Sequence, residues 1–265
     1  MIYVVFDTET TGLAPGSRMV EIAGIKFDES GVLDIFETLV NPGMPIPPDA
    51  TKTHGITDEM VAGAPDAGEA LTRFFGWLGE HRNLIAHYAQ YDTGIVSWDA
   101  ARCGVVLPDG LIVVDTCDIA RAVGATKRNG LDALVEHYGI ERCDKAHRAM
   151  SDADACRQYF NIVCDLQPLL LLPLPWAHAG HDYHYTDEFP AGLAALPELV
   201  ATGAPLSFCY EDKGGAATER TITPYSWCRK IAQDGTEIFY FDGHCHLRNA
   251  PRQFRGDRVT ALVAA

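Results

Sequence analysis

The sequence has no Cys-x-x-Cys pair, although it carries eight cysteines, at 103, 117, 143, 156, 164, 209, 228 and 245. Their scattered spacing, with several inside apolar stretches, argues against a disulfide framework and against structural zinc, and predicts reduced core thiols. Long apolar runs are missing too. Leu169 to Leu172 is cut by Pro173 and Pro175, far short of the roughly 18 residues a membrane helix needs. The amino terminus has no basic leader and only five apolar residues between Met1 and Asp7, so the expectation is a cytoplasmic protein with no membrane partner. Positive charge is scarce as well, with 21 Lys+Arg against 36 Asp+Glu and a net charge of -15. Phosphate binding normally leans on basic residues and counterion release, so this balance disfavours broad electrostatic contact with nucleic acid. The deficit is local, however. Residues 201–265 hold eight Lys+Arg against seven Asp+Glu, and the first 200 hold 13 against 29. An acidic front that loads divalent cations can still meet a phosphate, because bound ions reverse the local sign.

What is present, 265 residues with 47% hydrophobic and 22% charged, allows one large core or two modest ones. Ile2 to Phe6 is continuously apolar and β-branched, which predicts a strand buried on both faces, followed by strands at 19–27 and 32–40. Ala67, Ala70, Leu71, Phe74, Phe75 and Leu78 recur at helical spacing. Beyond them the pattern predicts a strand at 83–88, a helix at 92–103, a strand at 111–116, and helices near 130–138 and 149–164. Residues 167–186, rich in Pro, Leu, His and aromatics, read as a linker. After a short helix around 193–200, strands are expected at 205–211, 217–223, 226–232 and 236–242, with Asp234-Gly235 as a hairpin turn. His178, His181 and His184 repeat every three residues, but the prolines upstream favour an irregular arm over a metal site.

Four acids carry the chemistry. Asp7 and Glu9 end the first strand two residues apart, so both point from one face and repel each other without a counterion. Asp92 opens the next helix, where a carboxylate also complements the helix dipole. Asp152 shares an apolar stripe with Cys156, Tyr159 and Val163, where an unpaired carboxylate is costly. His147, five residues earlier, can accept a proton near neutral pH. Four acids with one His suit hydrolysis of a phosphodiester with two divalent ions, and hard carboxylate oxygens suit Mg²⁺ or Mn²⁺.

The segments Phe6-Asp7-Thr8-Glu9-Thr10-Thr11-Gly12 and Ala86-His87-Tyr88-Ala89-Gln90-Tyr91-Asp92, and the spacing from His147 to Asp152, resemble the three motifs of the DEDDh, DnaQ-like 3′-to-5′ exonucleases. Thr53-His54-Gly55-Ile56-Thr57, Val114-Asp115-Thr116 and Leu131-Asp132-Ala133-Leu134 extend the resemblance over about residues 1–166. It implies that Asp7, Glu9, Asp92 and Asp152 hold two metals and that His147 is the general base. Thr8, Thr10, Leu13 and His54 would border the terminal nucleotide, with Leu13 as a wedge. Tyr88 and Tyr91 stand where that family usually has Asn and Phe. The C-terminal segments Leu206 to Tyr210, Thr223 to Tyr225, Ile238 to Cys245 and Arg252 to Val259 resemble a WYL domain, with Phe239-Tyr240 in place of its Trp-Tyr. That resemblance implies an SH3-like barrel that meets a small ligand or a nucleic-acid strand. Arg248, Arg252, Arg255 and Arg258 are candidates to grip phosphates, or else a salt-bridged face.

The expected architecture is therefore an α/β, ribonuclease-H-like mixed sheet flanked by helices at 1–166, the linker at 167–186, and a small SH3-like β-barrel at 187–265. The expected partner is nucleic acid with a free 3′ end. Two other readings are a non-catalytic protein that binds or senses nucleic-acid ends, and an RNA-specific exoribonuclease.

Overall fold

The computed structural model describes all residues except 15, 167–173, 176–182, 191, 232–234 and 263–265, with only the backbone described at 165–166, 174–175 and 183–184. Strands β1 (Tyr3–Thr10), β2 (Met19–Asp28) and β3 (Gly31–Leu39) form an antiparallel meander. After helices α1 (Pro48–His54), α2 (Asp58–Val61) and α3 (Ala67–Leu78) the chain enters β4 (Asn83–Ala86), which pairs parallel with β1. Helix α4 (Ala89–Cys103) leads to β5 (Ile112–Asp115), parallel to β4, and then to α5 (Thr116–Val123), α6 (Leu131–Tyr138) and α7 (Ala149–Leu166). The sheet order is β3-β2-β1-β4-β5, with the two-residue β6 (Leu174–Pro175) on the β5 edge.

Strand alternation decides which helix each side chain meets. Val4 and Phe6 join the cluster with Leu71 and Phe74 of α3 and Ile95 and Val96 of α4. Val5 joins Cys156, Tyr159 and Phe160 of α7 on the opposite face. Asp7 and Glu9 have the parity of Val5, so they are aimed at the α7 side. The apolar stripe predicted for α7 is buried, with Asp152 at its start. Three features outran the sequence pattern. Helix α1 lies between the strand expected at 32–40 and the helical pattern from Ala67, with Pro47 and Pro48 at its start, where a missing N–H costs nothing. Helix α5 follows directly on β5, with Asp115 accepting from Cys117 N–H at 2.8 Å as its cap. Helix α4 begins at Ala89 and carries Asp92 inside its first turn.

A second sheet follows β7 (Tyr183–His184) and α8 (Leu196–Thr202): β8 (Leu206–Glu211), β9 (Ala217–Ile231), β10 (Glu237–Cys245), β11 (Ala250–Arg255) and β12 (Val259–Leu262), all pairings antiparallel. Its order is β11-β10-β9-β8-β12, with β7 on β9. Among the described residues β11 and β12 do not pair, so the expected closed barrel is not formed by this hydrogen-bonded path. The strands expected at 217–223 and 226–232 are one continuous β9. Pro224 does not end it, because the register slips there: Ser226 pairs with Asp242 and Pro224 with Gly243, leaving Tyr225 as the extra residue of a bulge. Of the expected Asp234-Gly235 turn, Asp234 lies outside the described residues, as do His178 and His181; His184 is described only as backbone in β7.

The two sheets pack together. Met44 joins the C-terminal core of Phe208, Phe241 and Phe254. The Arg18 guanidinium lies 5.8 Å over the Trp227 ring, and Trp227 Nε1 donates to the Thr186 carbonyl at 2.8 Å. Gly16, at φ 83°, leaves no room for a Cβ against the Trp227 carbonyl. Within the 167–186 segment, β6 adds to the first sheet and β7 to the second. No helix among the described residues is long and apolar enough to cross a membrane.

Candidate active site

Three segments deliver four carboxylates to one region. Asp7 and Glu9 come from the end of β1, Asp92 from the first turn of α4, and Asp152 from the first turn of α7. Burial pushes the Asp7 carboxyl well above the usual range, and the charges of Asp92, Asp152, Glu9 and Glu21 push it further. Burial, then Asp152, Glu21 and Asp92, raise Glu9 to about 8. Burial raises Asp92 to about 7, even though Thr8 opposes this by donating both its N–H (2.9 Å) and its hydroxyl (2.7 Å) to one Asp92 oxygen. Acids that raise one another this way are short of a cation.

His147 sits at φ 59°, a left-handed conformation rare for His, and its N–H donates to Asp152 at 3.1 Å. That strained turn brings the exposed ring beside the acids. One ring nitrogen and one oxygen each of Glu9 and Asp152 lie within 4.8 Å of one another. Asp152 Oδ1 is held by Arg142, which also reaches Asp132 at 2.7 Å.

One acid and its partner are absent from the motif reading. Glu21 lies directly across from Glu9 in the β1–β2 register and is 1% exposed. It accepts from Arg148 Nε (3.1 Å) and Nη2 (2.5 Å) and from Ala149 N–H (2.9 Å). These bonds tie the start of α7 to β2 and so fix the turn that carries His147. The available signal was a lone acid in the apolar run Met19-Val20-Glu21-Ile22-Ala23.

The acids open into a cleft of about 960 Å³ lined by Asp7, Glu9, His147 and Asp152, by Thr8, Thr10, Leu13, His54 and Tyr91, and by the C-terminal sheet. Leu13 is 88% exposed at its mouth. His54 is buried, with Nδ1 accepting from Ile56 N–H (2.9 Å) and Nε2 facing the Thr10 carbonyl (3.2 Å), which assigns the proton to Nε2. Burial lowers its pKa, so the ring is neutral and supports Thr10 through the backbone. The Tyr91 hydroxyl, which a Phe would lack, is 2.5 Å from the Thr10 hydroxyl and donates to the Gly12 carbonyl at 2.7 Å. It braces the turn before Leu13. Tyr88 adopts φ 59° while its side chain is exposed, and its N–H donates to Asp115 at 2.9 Å. Asn takes this conformation more readily than Tyr, which explains the usual residue there in structural terms.

Two of the four candidate arginines differ in their surroundings. Arg252 lines the cleft, whereas Arg255 is paired with Asp257 at 2.7 Å. Three residues apart on one strand, Arg252 and Arg255 have opposite parity.

An exonuclease family model (RNase_T) matches residues 4–160, and a WYL domain model matches residues 192–264. The chain belongs to the RNase_T exonuclease family. A DNA polymerase III PolC-type protein of Bacillus cereus is 34% identical over 155 residues, covering 58% of this exonuclease-family chain and 11% of that protein. A DNA polymerase III subunit epsilon-like protein of Rhodobacter capsulatus is 38% identical over 166 residues, covering 60% of this chain and 23% of that one. The chain thus spans between a tenth and a quarter of the length of these relatives. Among solved structures, Exonuclease X in complex with 5′ overhanging duplex DNA matches with a TM-score of 0.51 and 24% identity over 63% of this chain and 93% of that one. Exonuclease I of E. coli in complex with a dA16 oligonucleotide matches with a TM-score of 0.57 and 18% identity over 91% of this chain and 54% of that one. At these identities the structures attest to the α/β fold with its mixed sheet.

Proposed function

We propose that this protein is a 3′-to-5′ exonuclease that hydrolyses the terminal phosphodiester of DNA or RNA and releases nucleoside 5′-monophosphates. The observation that carries the reading is one cleft lined by Asp7, Glu9, His147 and Asp152, with the buried Asp92 bonded to Thr8 of the same lining. The donor set fits divalent cations: hard carboxylate oxygens, raised by burial at Asp7, Glu9 and Asp92 and paired with Arg142 at Asp152, suit Mg²⁺ or Mn²⁺. Asp7, Glu9, Asp92 and Asp152 would hold two such ions, which supply positive charge at the scissile phosphate and at the leaving 3′ oxygen.

His147 takes the proton from the attacking water, its exposed ring being open to solvent on the cleft side. Glu21 and Arg148 hold the backbone that presents it. Thr10 and Leu13 border the terminal nucleotide, with the Leu13 side chain against the base, while Thr8 orients Asp92. His54 acts through Thr10. Residues 1–166 form the catalytic unit and residues 187–265 the accessory one.

The deciding experiment digests 3′- and 5′-labelled DNA and RNA strands in Mg²⁺ or Mn²⁺. Stepwise loss from the 3′ end, absent in chelator and in Asp7→Ala, is the expected result. Binding of strand ends without cleavage in either metal would overturn the reading in favour of an end-binding protein.

A further inference from the structure

The cleft has a second wall, built by the C-terminal sheet. Tyr225 of β9, Asp242 of β10 and Arg252 and Gln253 of β11 line the same cavity as the catalytic acids. The bulge that leaves Tyr225 without a cross-strand partner is what aims it there, since an extra residue rotates the strand locally. Its phenol lies within electrostatic reach of both Asp242 and Asp49, so it marks where the second wall meets the catalytic domain.

Asp242 is the unusual member. It is 3% exposed, lies directly beside the bulge, and has no ion-pair partner among the described residues. Its neighbours are donors at long range: the Ser226 hydroxyl at 3.4 Å and the Gln253 amide at 3.5 Å, both to the same oxygen. Burial consequently pushes its carboxyl up to about 7. A buried carboxylate so weakly satisfied is an acceptor in search of a donor.

The charge of this wall says what kind of donor. Arg252 is the one Lys or Arg among the described lining residues, and Asp49 and Asp242 would repel phosphate. Apolar side chains at Leu13, Met44 and Ile46 continue the surface toward the acids. A strand lying here is held by its bases, which carry ring faces and amino groups, more than by its backbone. The bases must then be unpaired, because a duplex turns those edges inward. At about 960 Å³ the cavity is at the top of the roughly 300–1,000 Å³ range that seats a small ligand, which leaves space beyond the terminal nucleotide.

We propose that Tyr225, Asp242, Arg252 and Gln253 form a nucleobase-reading subsite for an unpaired strand, seating the nucleotides next to the one being removed. Asp242 and Gln253 meet base edges, Tyr225 offers a ring, and Arg252 makes the single phosphate contact. Amino-bearing bases, adenine and cytosine, are favoured over thymine because a carboxylate accepts from their exocyclic groups. The inference rests on the exonuclease reading of the cleft and deepens it.

The test uses the full chain and 5′-fluorescein dA12, dC12 and dT12 single strands beside a blunt duplex, with affinity read by anisotropy in Ca²⁺ and strand integrity checked on a gel. The expected result is at least about tenfold tighter binding of single strands than of duplex, with dA12 and dC12 tighter than dT12. Asp242→Asn and Gln253→Ala should each lose that discrimination, while Arg252→Ala should weaken all strands alike and lower the salt slope by about 0.7. Hydrolysis of thymidine 5′-(p-nitrophenyl phosphate), which has no neighbouring nucleotide, should be unchanged in all three variants. If wild-type protein cleaves nothing, the exonuclease reading fails while the binding pattern still judges the subsite. Equal affinity for all bases and for duplex, or wild-type discrimination in the exposed-site variant Gln253→Ala, would overturn the proposal even if Asp242→Asn does not fold.

Discussion

Replacing Glu9 with Gln should stabilise the metal-free protein at pH 8 while abolishing its nuclease activity. In the folded chain the Glu9 carboxyl is raised from 4.5 to about 8 by burial and then by Asp152, Glu21 and Asp92. The folded state therefore binds this proton more tightly than the unfolded chain does. The associated stability is complete below pH 4.5 and is lost as pH climbs through 8. A difference of that size corresponds to about 4 kcal/mol at pH 8, at roughly 1.4 kcal/mol per decade. Asp7 and Asp92 retitrate when Glu9 changes, since the acids share their protons, so a gain of about 2–4 kcal/mol is expected. For a chain of this size that raises the melting temperature by about 5–15 °C. Melting in chelator at pH 5 and pH 8 isolates the effect, because at pH 5 wild-type Glu9 is already protonated and the two proteins should nearly coincide. Adding Mg²⁺ or Mn²⁺ at pH 8 should reverse the order, since the ion stabilises the wild type more than the variant. Equal gains at both pH values, or a variant that metal stabilises as strongly as wild type, would refute the argument that these acids are held apart only by a missing cation.

Three further outcomes follow from other parts of the site and its supports. His147→Ala should lower turnover by about 10²- to 10⁴-fold with little change in metal affinity measured by calorimetry, whereas a parallel loss of both would make the ring a ligand. Arg102→Met should cost about 3–5 kcal/mol in denaturant unfolding, because Arg102 is the ion-pair partner (2.5 Å) of Asp99, which is 1% exposed and also receives Met19 N–H. Gly16→Ala should loosen the C-terminal sheet from the catalytic one, since its Cβ would collide with the Trp227 carbonyl at a positive φ. Limited proteolysis between 160 and 192 should then quicken, and an unchanged cleavage rate would show that this contact does not hold the parts together.

Much of this protein was legible in its linear order. The continuously apolar first strand, buried on both faces, and the apolar stripe of residues 149–164 required a layered α/β core, and they set Asp7, Glu9 and Asp152 on faces that a core would otherwise claim. Local spacing is enough for that, because side-chain direction in a strand or helix repeats every two or 3.6 residues. What spacing could not supply was the relation between segments. Glu21 became the clamp on the His147 turn only when β2 was laid in register against β1 and Arg148 reached across from α7. Sequence proximity also could not show that Arg252 lines the cleft while Arg255 pairs with Asp257. The strand break read at Pro224 became a bulge, because only pairing with β10 could show that the missing N–H falls at a register slip. Charge behaves in the same way: the Asp7, Glu9 and Asp92 carboxyls are ordinary in the chain and are pushed upward only where the tertiary fold buries them. The sequence by itself determined which residues could do chemistry, and the packing of two sheets across one cleft decided which of them face each other.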